Sequence, residues 1–215
     1  MKIGVIGSGI VGRVLASAFI QEGNQVMLGS RNPAKDEMVQ WKSANEKGLT
    51  GTFEETAAFG EMIVLATAGK ASLSVIELAG KKNFSGKIVI DATNPISEAP
   101  PVNGILSFFT TLNESLMERL QNSLPEAKFV KAFNSVGSAL MYKPDLNGQQ
   151  PTMFICGNDA EAKAIVTGIL QKFGWETEDM GVADAARAIE PLCILWCISG
   201  FLRNDWTHAF KLLKK

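Results

Sequence analysis

The sequence predicts an α/β fold, a doubly wound parallel sheet with a helical C-terminal extension. Three observations predict it. Short apolar runs alternate with segments of helical spacing, the first run ends in a glycine-rich turn, and no repeat, low-complexity tract or flexible linker divides the 215 residues. A chain of this length buries one sizeable core and leaves no room for a second full catalytic domain, so the whole is expected to be one domain with residues 184–215 as its extension.

Ile3 to Ile6 is an apolar strand running into glycine, and Val11, Val14, Leu15, Ala18 and Phe19 then recur at helical spacing. Gln25 to Leu28 is the second strand, and Pro33 suits the first turn of a helix reaching about Asn45. Leu49 to Thr52 is a minor third strand before a short helix near Glu54 to Ala58, and Met62 to Ala66 is a buried fourth strand. Ala71 to Ala79 is helical, Gly80 to Gly86 rich in turn residues, and Lys87 to Asp91 the fifth strand. Ala92 to Gly104, with three prolines, is a loop of the length that often carries function. Beyond it, Leu112 to Leu120 is expected to be helical, Phe129 to Phe133 and Thr152 to Cys156 to be strands, and Ala160 to Phe173 a helix. Trp175 to Glu178 is a last strand, and Asp184 to about Leu213 a helix kinked at Pro191.

A net charge of −1 with interspersed signs offers no basic stripe for nucleic acid and no polybasic tail for a membrane surface, so a small-molecule partner is expected. The N-terminal Met1 to Ile6 lacks the longer apolar region and cleavage site of a signal peptide, which points to the cytoplasm. Cys156, Cys193 and Cys197 are odd in number and form no CxxC pair, so they are expected to be core thiols rather than a disulfide framework or metal site. The longest apolar stretch, Pro191 to Leu202, falls short of the roughly 20 residues that span a bilayer and is expected to be a buried helix.

Gly7-Ser8-Gly9-Ile10-Val11-Gly12 is a full GxGxxG that follows the first strand and opens the first helix. In that context the glycines permit the turn and the close approach of a pyrophosphate, and the helix N-terminus attracts its charge. The fold expected is therefore of Rossmann type. Where a site for NAD places a carboxylate to hold the ribose 2′-hydroxyl, this chain has Ser30, Arg31 and Asn32, with Lys35 nearby. A guanidinium and a hydroxyl would bind a 2′-phosphate that a carboxylate repels, so NADP(H) is the expected cofactor, unless Arg31 is only a solvated surface residue.

Ligands of such sheets lie across the carboxyl ends of the strands, which assigns the nicotinamide to Thr67-Ala68-Gly69 and to Asn94-Pro95. Asn94 offers a donor and an acceptor to a carboxamide, although turn chemistry would also explain these residues. Carbonyl reduction requires a proton relay. The single histidine, His208, and the single tyrosine, Tyr142, read as structural, so no side chain is expected to act as a catalytic acid, base or nucleophile. Hydride transfer to a flavin-like ring places less demand on the protein, because the cofactor carries the chemistry.

The chain resembles the coenzyme F420-dependent NADP reductases and their relatives, including the oxidoreductase domain of the Steap metalloreductases. The resemblance rests on the glycine loop, Leu28 to Pro33, Val130-Lys131-Ala132-Phe133-Asn134-Ser135, Phe154 to Asp159, and Asp179-Met180-Gly181 leading into Arg187 and Glu190. It implies that Ser30 and Arg31 hold the 2′-phosphate, that Thr67, Ala68, Asn94 and Pro95 border the nicotinamide, and that Asn134, Ser135 and Val136 line the pocket for a second redox ring. It also implies a histidine in F420-using members where this chain has Asn134, which leaves flavin and deazaflavin open as second substrates. Arg187 and Glu190 would form a helix pair or shape a pocket, and an exposed part of the Leu192 to Leu202 face would suit a homodimer.

Hydride transfer between NADP(H) and a flavin or deazaflavin-like acceptor is the leading expectation; a non-catalytic NADP(H) sensor is the alternative, and an alcohol dehydrogenase lacks its relay. Replacing Arg31 by alanine is expected to weaken NADPH binding by about 1.5 to 3 kcal/mol through loss of a charge-assisted contact, with little effect on NADH. Parallel titrations of both nucleotides check this, and equal losses would remove Arg31 from the 2′-phosphate site.

Overall fold

The computed structural model describes residues 1–215. Six parallel strands form its sheet: β1 (Lys2–Ile6), β2 (Gln25–Gly29), β3 (Leu49–Gly51), β4 (Met62–Leu65), β5 (Ile88–Asp91) and β6 (Lys128–Lys131). Their order is β3-β2-β1-β4-β5-β6, so the order reverses beside β1 and opens a crevice at the carboxyl ends of β1 and β4. Val5 sits opposite both Leu28 and Val64, and Ile90 opposite Val130. These strands are apolar on both sides because helices cover both faces of the sheet.

On one face lie α1 (Ile10–Gln21), α2 (Asp36–Ala44) and α6 (Ala160–Lys172), around a core that includes Leu15, Phe19, Trp41, Val130 and Phe173. Trp41 fixes α2 to α1, its indole donating to the Arg13 carbonyl at 3.2 Å and to Ser17 Oγ at 3.0 Å. On the other face lie α3 (Phe53–Phe59), α4 (Ser72–Ala79), α5 (Leu116–Ser123) and α7 (Ala186–Ile189), around Ile63, Leu65, Ile76, Phe84 and Leu120.

β7 (Thr152–Ile155) and β8 (Glu176–Asp179) do not join the six-stranded parallel sheet. They form a parallel pair of their own, and β7 meets β6 only through an antiparallel bridge between Lys131 and Cys156. The cause is the connection: residues 132–151 hold a single 3₁₀ turn at Ser138–Leu140 and no crossover helix, so the chain doubles back instead of returning parallel.

Three helix boundaries differ from expectation. α2 starts at Asp36 rather than around Pro33, because Asn32 Oδ1 takes the Ala34 N–H at 3.0 Å and closes a separate turn first. α5 starts at Leu116 rather than Leu112, set by a capping box in which Ser115 and Glu118 bond each other's backbone N–H. The C-terminal helix breaks at Pro191, as expected, into α7 and α8 (Leu192–Arg203), but it does not continue to Leu213.

α8 ends where Asn204 adopts a left-handed conformation with φ 54°, and the remaining residues turn back as a non-helical tail. Trp206 lies over Gly200, the Trp196 indole donates to the His208 carbonyl at 2.7 Å, and the Trp196 and His208 rings stack 5.1 Å apart. The tail then covers the edge of β7, with Thr152 N–H bonded to the Phe210 carbonyl at 2.9 Å.

Trp196 and Cys193 of α8 are buried, but Leu195, Phe201 and Leu202 are exposed, so the helix is not the wholly buried one expected. Counted through the turn at Pro191, Ala183–Arg203 is 21 residues, long and apolar enough by length and composition alone to cross a membrane. Here Ala183, Ala186 and Ile189 of its first turns join the core on one face of the sheet, and its Glu190 is ion-paired inside the fold. An added Cβ at Gly200 would lie 2.2 Å from the Trp206 ring. Gly200→Ala is therefore expected to loosen the tail and cost about 1–3 kcal/mol, read by thermal unfolding and by the near-ultraviolet dichroism of the Trp196–Trp206 pair.

Candidate functional site

The site is built from the ends of β1, β2, β4, β5 and β6. Gly7, directly after β1, has φ +120°, and an added Cβ would lie 2.3 Å from the Ala66 carbonyl oxygen. A Cβ on Gly12 would lie 1.7 Å from the Gly7 carbonyl oxygen, so this turn admits only glycine at both positions. Gly9 differs: nothing lies within 4 Å of where its Cβ would be, which leaves its face open to a ligand. Gly9 is also the N-cap of α1, where no side chain caps the helix and no acidic residue occupies the first turn. The first N–H groups, beginning at Ile10 and Val11, remain free for an anion. These features fit a dinucleotide pyrophosphate.

Ser8 joins this loop to the end of β2, its hydroxyl donating to Ser30 Oγ at 3.2 Å, and both serines are buried. Asn32 N–H also donates to Ser30 Oγ, at 3.3 Å. Arg31 is exposed beside them, and Lys35 is the N-cap of α2, with its ammonium 3.8 Å from Glu37. The Asn32 side chain is occupied by its own turn. Sequence reasoning missed Arg13, whose guanidinium donates to the Ser8 carbonyl at 2.7 Å and braces the glycine loop from α1. As the first residue after the third glycine and the only cation in α1, it was the available signal.

At the other end, Thr67, Ala68, Gly69 and Asn94 line one cavity of about 390 Å³ together with Ala92 and Ile96. The two loops touch: a Cβ on Gly69 would lie 2.0 Å from the Asn94 carbonyl oxygen. Thr67 Oγ1 is 3.0 Å from Ser72 Oγ at the start of α4. Lys70 and Glu98 form an exposed ion pair at the rim. Pro95 is buried, and its carbonyl accepts from Phe109 N–H at 2.9 Å.

Asn94 does not present a free carboxamide. Its Nδ2 donates to the Asn134 carbonyl at 2.7 Å, and its Oδ1 accepts from Asn134 Nδ2 at 3.3 Å. Asn134 Nδ2 also donates to the Ile189 carbonyl at 3.0 Å. Asn134, Ser135 and Val136 are all buried, so this segment meets the cavity through Asn94 rather than as an open wall. Phe133 just before it has φ 64°, a conformation that costs a bulky residue about 1–3 kcal/mol and that turns the chain after β6 toward Asn94.

Beneath both loops lies a buried charge cluster. Lys131 Nζ is 2.7 Å from Asp91 Oδ2 and 2.9 Å from Glu190 Oε1, and donates to the Thr93 carbonyl at 2.9 Å. Asp91 Oδ1 accepts from Thr93 N–H at 2.9 Å and from its hydroxyl at 2.6 Å. Glu190 accepts from Leu116 and Met117 N–H, both at 3.0 Å, at the N-terminus of α5. Burial pushes the Lys131 ammonium down, but the two carboxylates outweigh it and hold its pKa above the ordinary value.

Arg187 and Glu190 therefore do not pair with each other. Arg187 binds Glu118, drawing that carboxyl down to about 2. Tyr142 donates to Glu22, the C-cap of α1, at 2.8 Å and stands edge-on to Phe173, and His208 belongs to the tail. The thiols are free, and burial pushes Cys156 up to about 12.

The family model described as NADP oxidoreductase, coenzyme F420-dependent, matches residues 2–95. A crystal structure of a candidate F420-dependent NADP-reductase from Arthrobacter sp. FB24 superposes with a TM-score of 0.92 at 32% identity, over 100% of both chains. The chain belongs to this family. It is an NADP-dependent oxidoreductase whose acceptor the relationship leaves open. The F420-dependent NADP reductase of Methanocaldococcus jannaschii is 29% identical over 202 residues, 89% of each chain. Metalloreductase STEAP3 of Rattus norvegicus is 29% identical over 192 residues, 89% of this chain but 36% of that protein.

The Glu118 carboxyl, ordinarily near 4.5, is held near 2 by Arg187, so this pair contributes stability above pH 4.5 that is lost as pH falls toward 2. Arg187→Ala is expected to be less stable than the native protein at neutral pH, by a margin that shrinks between pH 4.5 and 2. Urea unfolding across that range checks it.

Proposed function

We propose that this protein moves a hydride between NADP(H) and a flavin or deazaflavin-like ring held beside the cavity formed by Thr67–Gly69 and Asn94. The observation that carries this reading is the Asn94–Asn134 pair, which brings the segment 134–136 against the wall of that cavity. Nicotinamide, when bound, supplies the hydride chemistry. The protein's own residues bind, orient and exclude water: the free N–H groups after Gly9 take the pyrophosphate, and Ser30 and Arg31 take the 2′-phosphate.

Thr67, Ala68 and Gly69 let a flat ring lie close, and the buried cluster below keeps the two loops in register. Catalysis of this kind is positioning. Support for a ring acceptor comes from the relative named as an F420-dependent NADP reductase, while Asn134 in place of the histidine implied for F420-using members keeps flavin equally in view. The exposed side of α8, with Leu195, Phe201 and Leu202, supports a second copy of the chain as protein partner.

Nicotinamide absorbance should fall when NADPH and the protein meet FMN, FAD or the deazaflavin coenzyme, with one of these turned over well above the others. Selective NADPH binding with no oxidation by any of them would instead support a sensor.

A further inference from the structure

Asp91 and Glu190 share a single ammonium, Lys131, and all three side chains are at most 2% exposed. Two carboxylates and one ammonium leave one formal negative charge inside the protein. The N-terminus of α5, bonded to Glu190, offsets about half a charge and leaves the remainder uncompensated. The ion pairs Lys70–Glu98 at the cavity rim, Arg187–Glu118 at α5 and Lys163–Asp179 are each neutral in sum and do not cancel it.

In charge alone a Lys131–Asp91 pair would be matched, whereas the extra buried carboxylate of Glu190 is costly. The excess charge also sits directly under the cavity floor. Thr93, bonded through its N–H, hydroxyl and carbonyl to Asp91 and Lys131, immediately precedes Asn94. The oxidised nicotinamide ring is cationic and the reduced ring neutral, so a buried negative charge discriminates between them, and it does so more strongly in a low-dielectric interior than in water.

We infer that the buried Lys131–Asp91–Glu190 cluster sets the redox preference of the nicotinamide site, favouring NADP⁺ over NADPH and making bound NADPH the stronger hydride donor. The inference rests on the reading of this cavity as the nicotinamide site. Removing one carboxylate should remove the excess negative charge and with it the preference.

The test is calorimetric titration of the native protein, Glu190→Gln and Asp91→Asn with NADP⁺ and with NADPH. The native protein should bind NADP⁺ more tightly than NADPH, and either folded variant should reduce that affinity ratio roughly tenfold. This corresponds to a rise of about 30 mV in the potential of the bound couple. A merely structural role would weaken both forms together and leave the ratio in place. NADPH binding as tight as NADP⁺ in the native protein, or an unmoved ratio in a folded variant, overturns the inference; should neither variant fold, the native ratio decides. Binding of neither nucleotide overturns the functional reading and the inference with it, whereas equal binding of both overturns the inference alone.

Discussion

The site depends on one buried ammonium. Lys131 has no exposed surface, and a charge so placed is tolerated only when its partners surround it. Those partners come from four places: Asp91 at the end of β5, Thr93 in the next loop, Glu190 at the α7–α8 turn, and through Glu190 the first N–H groups of α5. Each is held because losing it would strand the others, at a cost of about 3–5 kcal/mol for a broken buried pair. The loops that shape the cavity proposed for the nicotinamide are thus fixed from below, by electrostatics rather than by side chains that face the cavity.

The two ends of the proposed cofactor site are made by different physics. The phosphate end is backbone: glycines at 7 and 12 let the chain fold on itself, Gly9 leaves one face open, and the helix N-terminus supplies the donors. Ser8 and Ser30 then couple that loop to the end of β2 across 22 residues. The end proposed for the nicotinamide is tertiary, a contact between loops after β4, β5 and β6 whose key bonds, Asn94 to Asn134 and Asn134 to Ile189, span 40 and 55 residues.

That contrast accounts for how much of the molecule was legible beforehand. From Lys2 to about Asp91 the strands, helices and glycine loop follow local rules, apolar periodicity and turn chemistry, and the observed elements lie within a few residues of those expected. Beyond Asp91 the reading loses accuracy where distant residues intervene. Asn94 looked available to a carboxamide, but Asn134 occupies it. Arg187 and Glu190 had the spacing of a helix pair, but each finds a more compelling partner elsewhere, Glu118 and Lys131. The tail beyond Arg203 had helical composition, yet Trp206 and His208 gain more by packing on Gly200 and Trp196.

The sequence by itself therefore determined the Rossmann-type half, the position of the glycine loop and the non-acidic end of β2, because each is encoded within a few neighbouring residues whose geometry is intrinsic to them. Tertiary structure alone decided the antiparallel return of β7, the path of the C-terminal tail, the occupation of Asn94 and the sharing of one ammonium by two carboxylates. These are contests between partners far apart in the chain. Burial energy and the need to satisfy every buried polar group settle such contests, and neither can be evaluated until the whole chain is packed.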